Sequence, residues 1–174
     1  METTICFQND KILVLAGKYN GKQLSVKSFK TFELSEGSII NGVITDNFSI
    51  RQVLSKIKSD KTLFCKNVRI IIDSSLIYIK QAVFPLVSDS KMNIFVENEF
   101  VGIDSKNSEM IFDYSVLSQE GGKKVSVACF AMEKSLAKSF IDIFAEEGIK
   151  LSAIDVSTNC VIKYTVGIPM LKGK

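Results

Sequence analysis

Residues 67–75 read NVRIIIDSS, a nearly continuous apolar run closed by an aspartate and two serines. A strand with one wet face alternates apolar and polar residues, because successive side chains point to opposite faces. Three isoleucines in succession, Ile70 to Ile72, put apolar groups on both faces. That pattern fits a central strand covered on both sides. The flanking chain must then supply strands beside it and helices over it. Asp73, Ser74 and Ser75 follow such a strand. Sheet proteins often carry a site there, but these residues read first as a polar turn between two strands.

Upstream, residues 3–7 alternate weakly and read as a strand, and Gln8-Asn9-Asp10 reads as a turn. Residues 11–19, KILVLAGKY, form a second strand. Asn20-Gly21 is a hairpin signal, and residues 22–34 follow as a long third strand. The chain therefore opens as an antiparallel meander. The next stretch, ELSEGSIINGVITDNFS at residues 33–49, contains Gly37 and Gly42 but neither GxGxxG nor GxxxxGK[ST]. It reads as a turn into a helix capped by Asp46, not as a phosphate cradle. Ile50, Val53, Leu54 and Ile57 then mark one helical face, which ends near Asp60.

Downstream, residues 76–84 form a strand closed by Pro85. Met92, Phe95, Val96, Glu99 and Phe100 fall at helical spacing within residues 89–101. Two strands follow at 109–117 and 125–132, joined by the turn EGGKK. Residues 133–148 form an amphipathic helix with Leu136, Ala137, Phe140, Ile141 and Phe144 on one face, and Gly148 stops it. Residues 149–157 read as a closing strand, and 158–166 begin a further helix. The order over residues 76–156 is βαββαβ, which predicts an antiparallel sheet with both helices on one face. The fold class is α+β.

Composition narrows the chemistry. Of the 174 residues 46% are hydrophobic, enough for a packed core, and most of the twelve phenylalanines fall on predicted core faces. No histidine is present. This removes histidine-based triads, histidine metal sites and the commonest general base. Cys6, Cys65, Cys129 and Cys160 lie apart, each among apolar neighbours, and read as buried reduced thiols rather than metal ligands. No catalytic residues and no metal are expected. The net charge is +3, and the lysines read as scattered, so no nucleic-acid partner is expected. The N-terminus lacks a signal-peptide pattern, and no apolar run reaches the roughly 18 residues of a membrane span. A cytoplasmic location is expected.

The ordered pieces FELSEGSIINGVITD, NVRIIIDSSLIYIKQAVFP, IFDYSVL and KKVSVACFAMEKSLAKSFIDIFAEEGIKLSAIDVSTNCVIKY resemble the PilM family of type IV pilus assembly proteins, actin-like relatives of FtsA. The resemblance implies that residues 1–75 are the first part of an actin-like, ribonuclease H-like subdomain 1A. Residues 76–156 would be the inserted, SHS2-like subdomain 1C, and 157–174 would return into 1A. The rest of the nucleotide site would lie beyond Lys174. The family's first hairpin is rich in glycine and hydroxyl residues and wraps the nucleotide phosphates. Here Cys6 stands at its aspartate, and Gln8, Asn9 and Asp10 replace the glycine and hydroxyls. Asp10 sets a negative charge where phosphates would lie, so no ATP or other cofactor is expected. The family binds the cytoplasmic N-terminal peptide of PilN, a bitopic membrane protein, near the groove between 1A and 1C. Phe84 and Pro85 would contact that peptide. The implied role is a non-catalytic scaffold at the inner face of the membrane, attached to it only through its partner. An actin-like ATPase fragment and an FtsA-like division scaffold are the alternatives, and a small enzyme with a carboxylate or serine site near Asp73 is a third.

Overall fold

A computed structural model describes residues 1–21, 23–103 and 109–167. The chain begins with β1 (Glu2–Phe7), β2 (Lys11–Tyr19), β3 (Leu24–Glu33), β4 (Ile39–Ile40), β5 (Val43–Ile44), α1 (Asn47–Ser59) and β6 (Val68–Ile72). It continues with β7 (Tyr78–Pro85), α2 (Asp89–Glu99), β8 (Met110–Glu120) and β9 (Lys124–Glu133). Then come α3 (Lys134–Glu146), β10 (Leu151–Val156) and α4 (Ser157–Gly167). Two compact units result. Among the described residues, the first holds 1–75 and 136–157, and the second holds 76–135 and 158–167.

The first unit is built on a five-stranded sheet in the order β10-β6-β1-β2-β3. β1 pairs antiparallel with β2, and β2 with β3, as the meander predicts. β6 runs parallel to β1 on one side and to β10 on the other. One face of the sheet is buried and apolar but for Thr3, with Ile5 and Phe7 of β1, Ile12 and Val14 of β2, and Ile70 and Ile72 of β6. α1 turns Ile50, Val53, Leu54 and Ile57 inward, and α3 does the same with Leu136, Ala137, Phe140, Ile143 and Phe144. The Phe7 ring meets Phe140 and Phe144 edge-on, with centroids 4.9 and 6.0 Å away, the arrangement that aromatic quadrupoles favour. Thr3, the polar residue on this face, is satisfied. Its hydroxyl donates to the Leu63 carbonyl at 2.7 Å and accepts from the Cys65 N–H at 2.8 Å. β6 is central, as its composition predicts, but its second face is only partly covered. Ile71 is half-buried there and Arg69 is exposed.

The helix caps agree with the sequence. Asp46 accepts hydrogen bonds from the Phe48 and Ser49 N–H groups and from the Ser49 hydroxyl. Those bonds, the hydroxyl's foremost, hold its carboxyl below the usual carboxylate range. At the far end Asp60 accepts from Lys30 at 2.6 Å and from Thr62, which ties the end of α1 to β3.

The second unit is a three-stranded antiparallel sheet in the order β7-β9-β8. Val125, Val127, Cys129 and Ala131 of β9 pack with Met92, Val96 and Phe100 of α2 and its C-cap. The Asn159 side chain of α4 accepts from the Ser115 hydroxyl of β8 at 2.7 Å. Ser115 pairs with Ala128, so α4 reaches the face opposite α2.

This arrangement corrects the predicted βαββαβ unit at 76–156. Its last helix and strand, α3 and β10, belong to the first unit. The cause is complementarity: the α3 aromatics find Phe7, and β10 finds the open edge of β6. The expected return of residues 157–174 into the first unit is also corrected, since α4 groups with the second unit. Residues 168–174 lie outside the described residues.

Phe140 is fully buried against Phe7. Phe140→Ala is expected to destabilise the first unit by roughly 3–5 kcal/mol through lost contact and a residual cavity. Hydrogen exchange should then speed up in β1 and β6 and leave β7–β9 unchanged. Faster exchange in β9 would mean that α3 serves the second sheet.

Candidate functional site

The parallel strands β1, β6 and β10 end on the same edge of the first sheet. Open α/β sheets place ligands in the crevice beyond such carboxyl ends. Here a polar crevice of about 260 Å³ is lined by Asn9, Asn41, Asp73, Ser74 and Ser75.

One wall comes from the segment that reads as a mere turn. Ile39–Ile40 and Val43–Ile44 pair as a short antiparallel hairpin. Its two loop residues, Asn41 and Gly42, have φ of 51° and 79°. That pair of left-handed residues is the type I′ turn that Asn-Gly favours, and the dipeptide flanked by Ile and Val is the sequence signal that would have found it. The hairpin is clamped to the end of β6. The Asn41 amide donates to the Ser75 hydroxyl and its carbonyl oxygen accepts the Ser75 N–H, both at 2.8 Å. The Ser74 hydroxyl donates to the Asn41 backbone carbonyl at 2.7 Å.

The second wall is the β1–β2 turn, Gln8-Asn9-Asp10. The Gln8 N–H donates to the Lys11 carbonyl at 3.0 Å, so this amide is engaged within the hairpin. Neither Asn9 nor Asp10 has a positive φ, and the turn lacks the αR-αL nest of amides that grips anions. The Asp10 carboxylate is exposed and lies 3.5 Å from the Lys11 ammonium. Cys6, one residue inside β1, is half-buried. Burial first, and the charge of Asp73 second, push its thiol above the ordinary range. It stays protonated at neutral pH and is neither a ready nucleophile nor a ready ligand.

Asp73 accepts a hydrogen bond from the Ser157 hydroxyl at 2.6 Å, which joins the end of β6 to the first residue of α4. The crevice therefore offers amides, hydroxyls and one engaged carboxylate. Its hydroxyls have no imidazole to activate them, since the chain has no histidine. Among the described residues no group of three or more Cys, Asp or Glu is placed to hold a metal.

Phe84 and Pro85 lie at the end of β7, an edge strand of the second sheet. Phe84 is half-buried and points inward, its ring 5.4 Å from that of Phe95 on α2. Pro85 is exposed. The apolar side chains this edge offers to a partner are the alternate ones, Ile79 and Val83, 42% and 57% exposed. Strand alternation carries that distinction, because a shift of one residue exchanges the two faces.

No family model and no curated protein matches the sequence. Solved structures do match. A chain of the PilM–PilN type IV pilus biogenesis complex superposes with a TM-score of 0.77 at 12% identity, over 90% of this chain and 47% of that one. The cytoplasmic domain of EpsL, an inner-membrane component of the type II secretion system of Vibrio cholerae, superposes with a TM-score of 0.52 at 9% identity. That match covers 88% of this chain and 56% of the other. The chain thus spans about half the length of the structures it matches. The actin-like, PilM-type fold expected from the resemblance is borne out at the level of fold. No helix among the described residues is long and apolar enough to cross a membrane.

The clamp gives Gly42 two constraints. Its φ is 79°, and a Cβ there would stand 2.6 Å from the Ser74 Cβ and 2.9 Å from the Asp73 carbonyl oxygen. Gly37 has a φ of 80° but open space around it. Gly37→Ala is expected to cost about 1–2 kcal/mol, the left-handed backbone alone. Gly42→Ala should cost clearly more in chemical denaturation and loosen residues 73–75 by hydrogen exchange. Equal costs would show that the hairpin does not press on the β6 turn.

Proposed function

We propose that this chain is a non-catalytic cytoplasmic scaffold in the inner-membrane assembly platform of a type IV pilus or a related secretion or DNA-uptake machine. In this reading it holds the cytoplasmic N-terminal peptide of a bitopic, PilN-like membrane protein and meets the membrane only through that partner. The likeness of fold over 90% of the chain to the PilM–PilN complex carries the reading. The EpsL likeness keeps secretion machinery within it. The first unit takes the place of subdomain 1A and the second that of 1C.

The site chemistry supports a scaffold over an ATPase. The phosphate turn has lost its glycines, its Gln8 amide is internally bonded, and Asp10 faces outward. ATP would meet carboxylates where it needs donors. For the peptide, β7 offers an outer edge that no strand pairs with among the described residues, and Ile79 and Val83 supply apolar contact.

Two titrations test this. The cytoplasmic N-terminal peptide of a PilN-like protein from the same organism should bind in fluorescence anisotropy with a Kd tighter than about 100 µM, with little dependence on salt. Val83→Asp should weaken it about tenfold or more. ATP with Mg²⁺ should give no saturable heat in isothermal titration. Saturable ATP binding would favour the actin-like ATPase alternative, and absence of peptide binding would remove the scaffold reading.

A further inference from the structure

The long strand β3 forms the far edge of the five-stranded sheet, and among the described residues nothing pairs with its outer side. Such a strand is a template for another chain unless it is blocked. β3 has ten residues and contains no proline.

Its side chains are sorted by face. Leu24, Val26 and Phe29 stand opposite Tyr19, Gly17 and Leu15 of β2, on the face turned away from α1 and α3. Leu24, Val26, Phe29 and Tyr19 are all more than half exposed. Lys30 stands opposite the buried Val14 and therefore lies on the helix side, where Asp60 holds it. Lys18, opposite Ser25, shares that side, and Lys27 is the extra residue at the bulge facing Ala16 and Gly17. From Lys11 to Phe32 the sequence has five lysines and no aspartate or glutamate, more positive charge than the net +3 of the whole chain. Among the described lysines, Lys18 and Lys30 share the helix side of this hairpin.

We propose that the β3 edge is a second docking surface, which takes an extended acidic strand of a partner protein by strand addition. The partner strand alternates apolar residues, for the Leu24, Val26 and Phe29 face, with Asp or Glu, for the lysine side. Charge decides between occupants. A second copy would bring lysines against lysines, which is repulsive across paired strands. A membrane would need the apolar and cationic groups on one side, and Lys18 and Lys30 lie on the face opposite Leu24, Val26 and Phe29. This surface is on the first unit and does not depend on the β7 edge or on a PilN-like partner.

The test uses the whole chain and a short acetylated peptide that alternates valine and glutamate, followed by hydrogen–deuterium exchange and anisotropy. Exchange should slow over residues 24–33 and not at β7 or β10. Val26→Lys and Phe29→Lys, both at exposed positions and checked for retained fold by circular dichroism, should each weaken binding about tenfold. Added salt should weaken it as well. Several results would overturn the proposal: no protection at millimolar peptide, protection confined to the other edges, or equal binding of a valine–lysine peptide. Protection of residues 24–33 by phosphatidylglycerol vesicles, or by dimerisation of the chain alone, would overturn it in favour of those occupants.

Discussion

The fold rests on the parallel pairing of β6 with β1 on one side and β10 on the other. Val68, Ile70 and Ile72 line up with Thr3, Ile5 and Phe7, and the same strand accepts Leu151 to Val156. Parallel neighbours cannot be joined by a tight turn, so each pairing requires a long crossover. α1 spans the first and α3 lies in the second. α1 and α3 cover the same face, and the Phe7–Phe140–Phe144 cluster seals it. The carboxyl ends of the three strands are brought to one edge as a by-product, and the β1–β2 turn and the Asn41 hairpin wall the polar crevice there.

Most elements of the fold were legible because they obey local rules. The α1 stripe, the Asp46 cap, the Asn20-Gly21 hairpin and the amphipathic face of α3 each carry a period or a capping residue. Partner choice was not legible. The α3 face that suits Phe7 would suit any apolar sheet, and β10 reads the same whether it closes the second sheet or the first. Residues 76–156 therefore look like a self-contained unit in sequence, and contact with Phe7 and β6 divides them. Sequence periodicity reports which face is apolar and is silent on what covers it.

The site was legible in part. Asp73, Ser74 and Ser75 do lie at the end of a central strand, and Gln8, Asn9 and Asp10 do form the adjoining turn. Asn41 was missed because its role is tertiary: its amide bridges to Ser75, which is 34 residues away. Phe84 stands out by its place at the end of an edge strand, yet alternation turns it toward Phe95 and leaves Val83 outside. The exposed row on β3 was missed for the opposite reason. Lys30 and the apolar residues are interleaved in the sequence, and only register with β2 separates them into two faces.

The division of the first unit into residues 1–75 and 136–157 also orders events in time. The β6 edge that receives β10 is created early in synthesis and stays unpaired until Leu151 has left the ribosome. All three strands of the second sheet lie between Tyr78 and Glu133, so their pairing requires only chain already made. Local pairings close faster than distant ones. Once the second sheet has formed, it brings the ends of its own segment closer than an unfolded chain of that length would. The second unit thus acts as a splint that shortens the search of β10 for β6. A lesion in β9 would slow maturation of the first sheet without touching any residue in it.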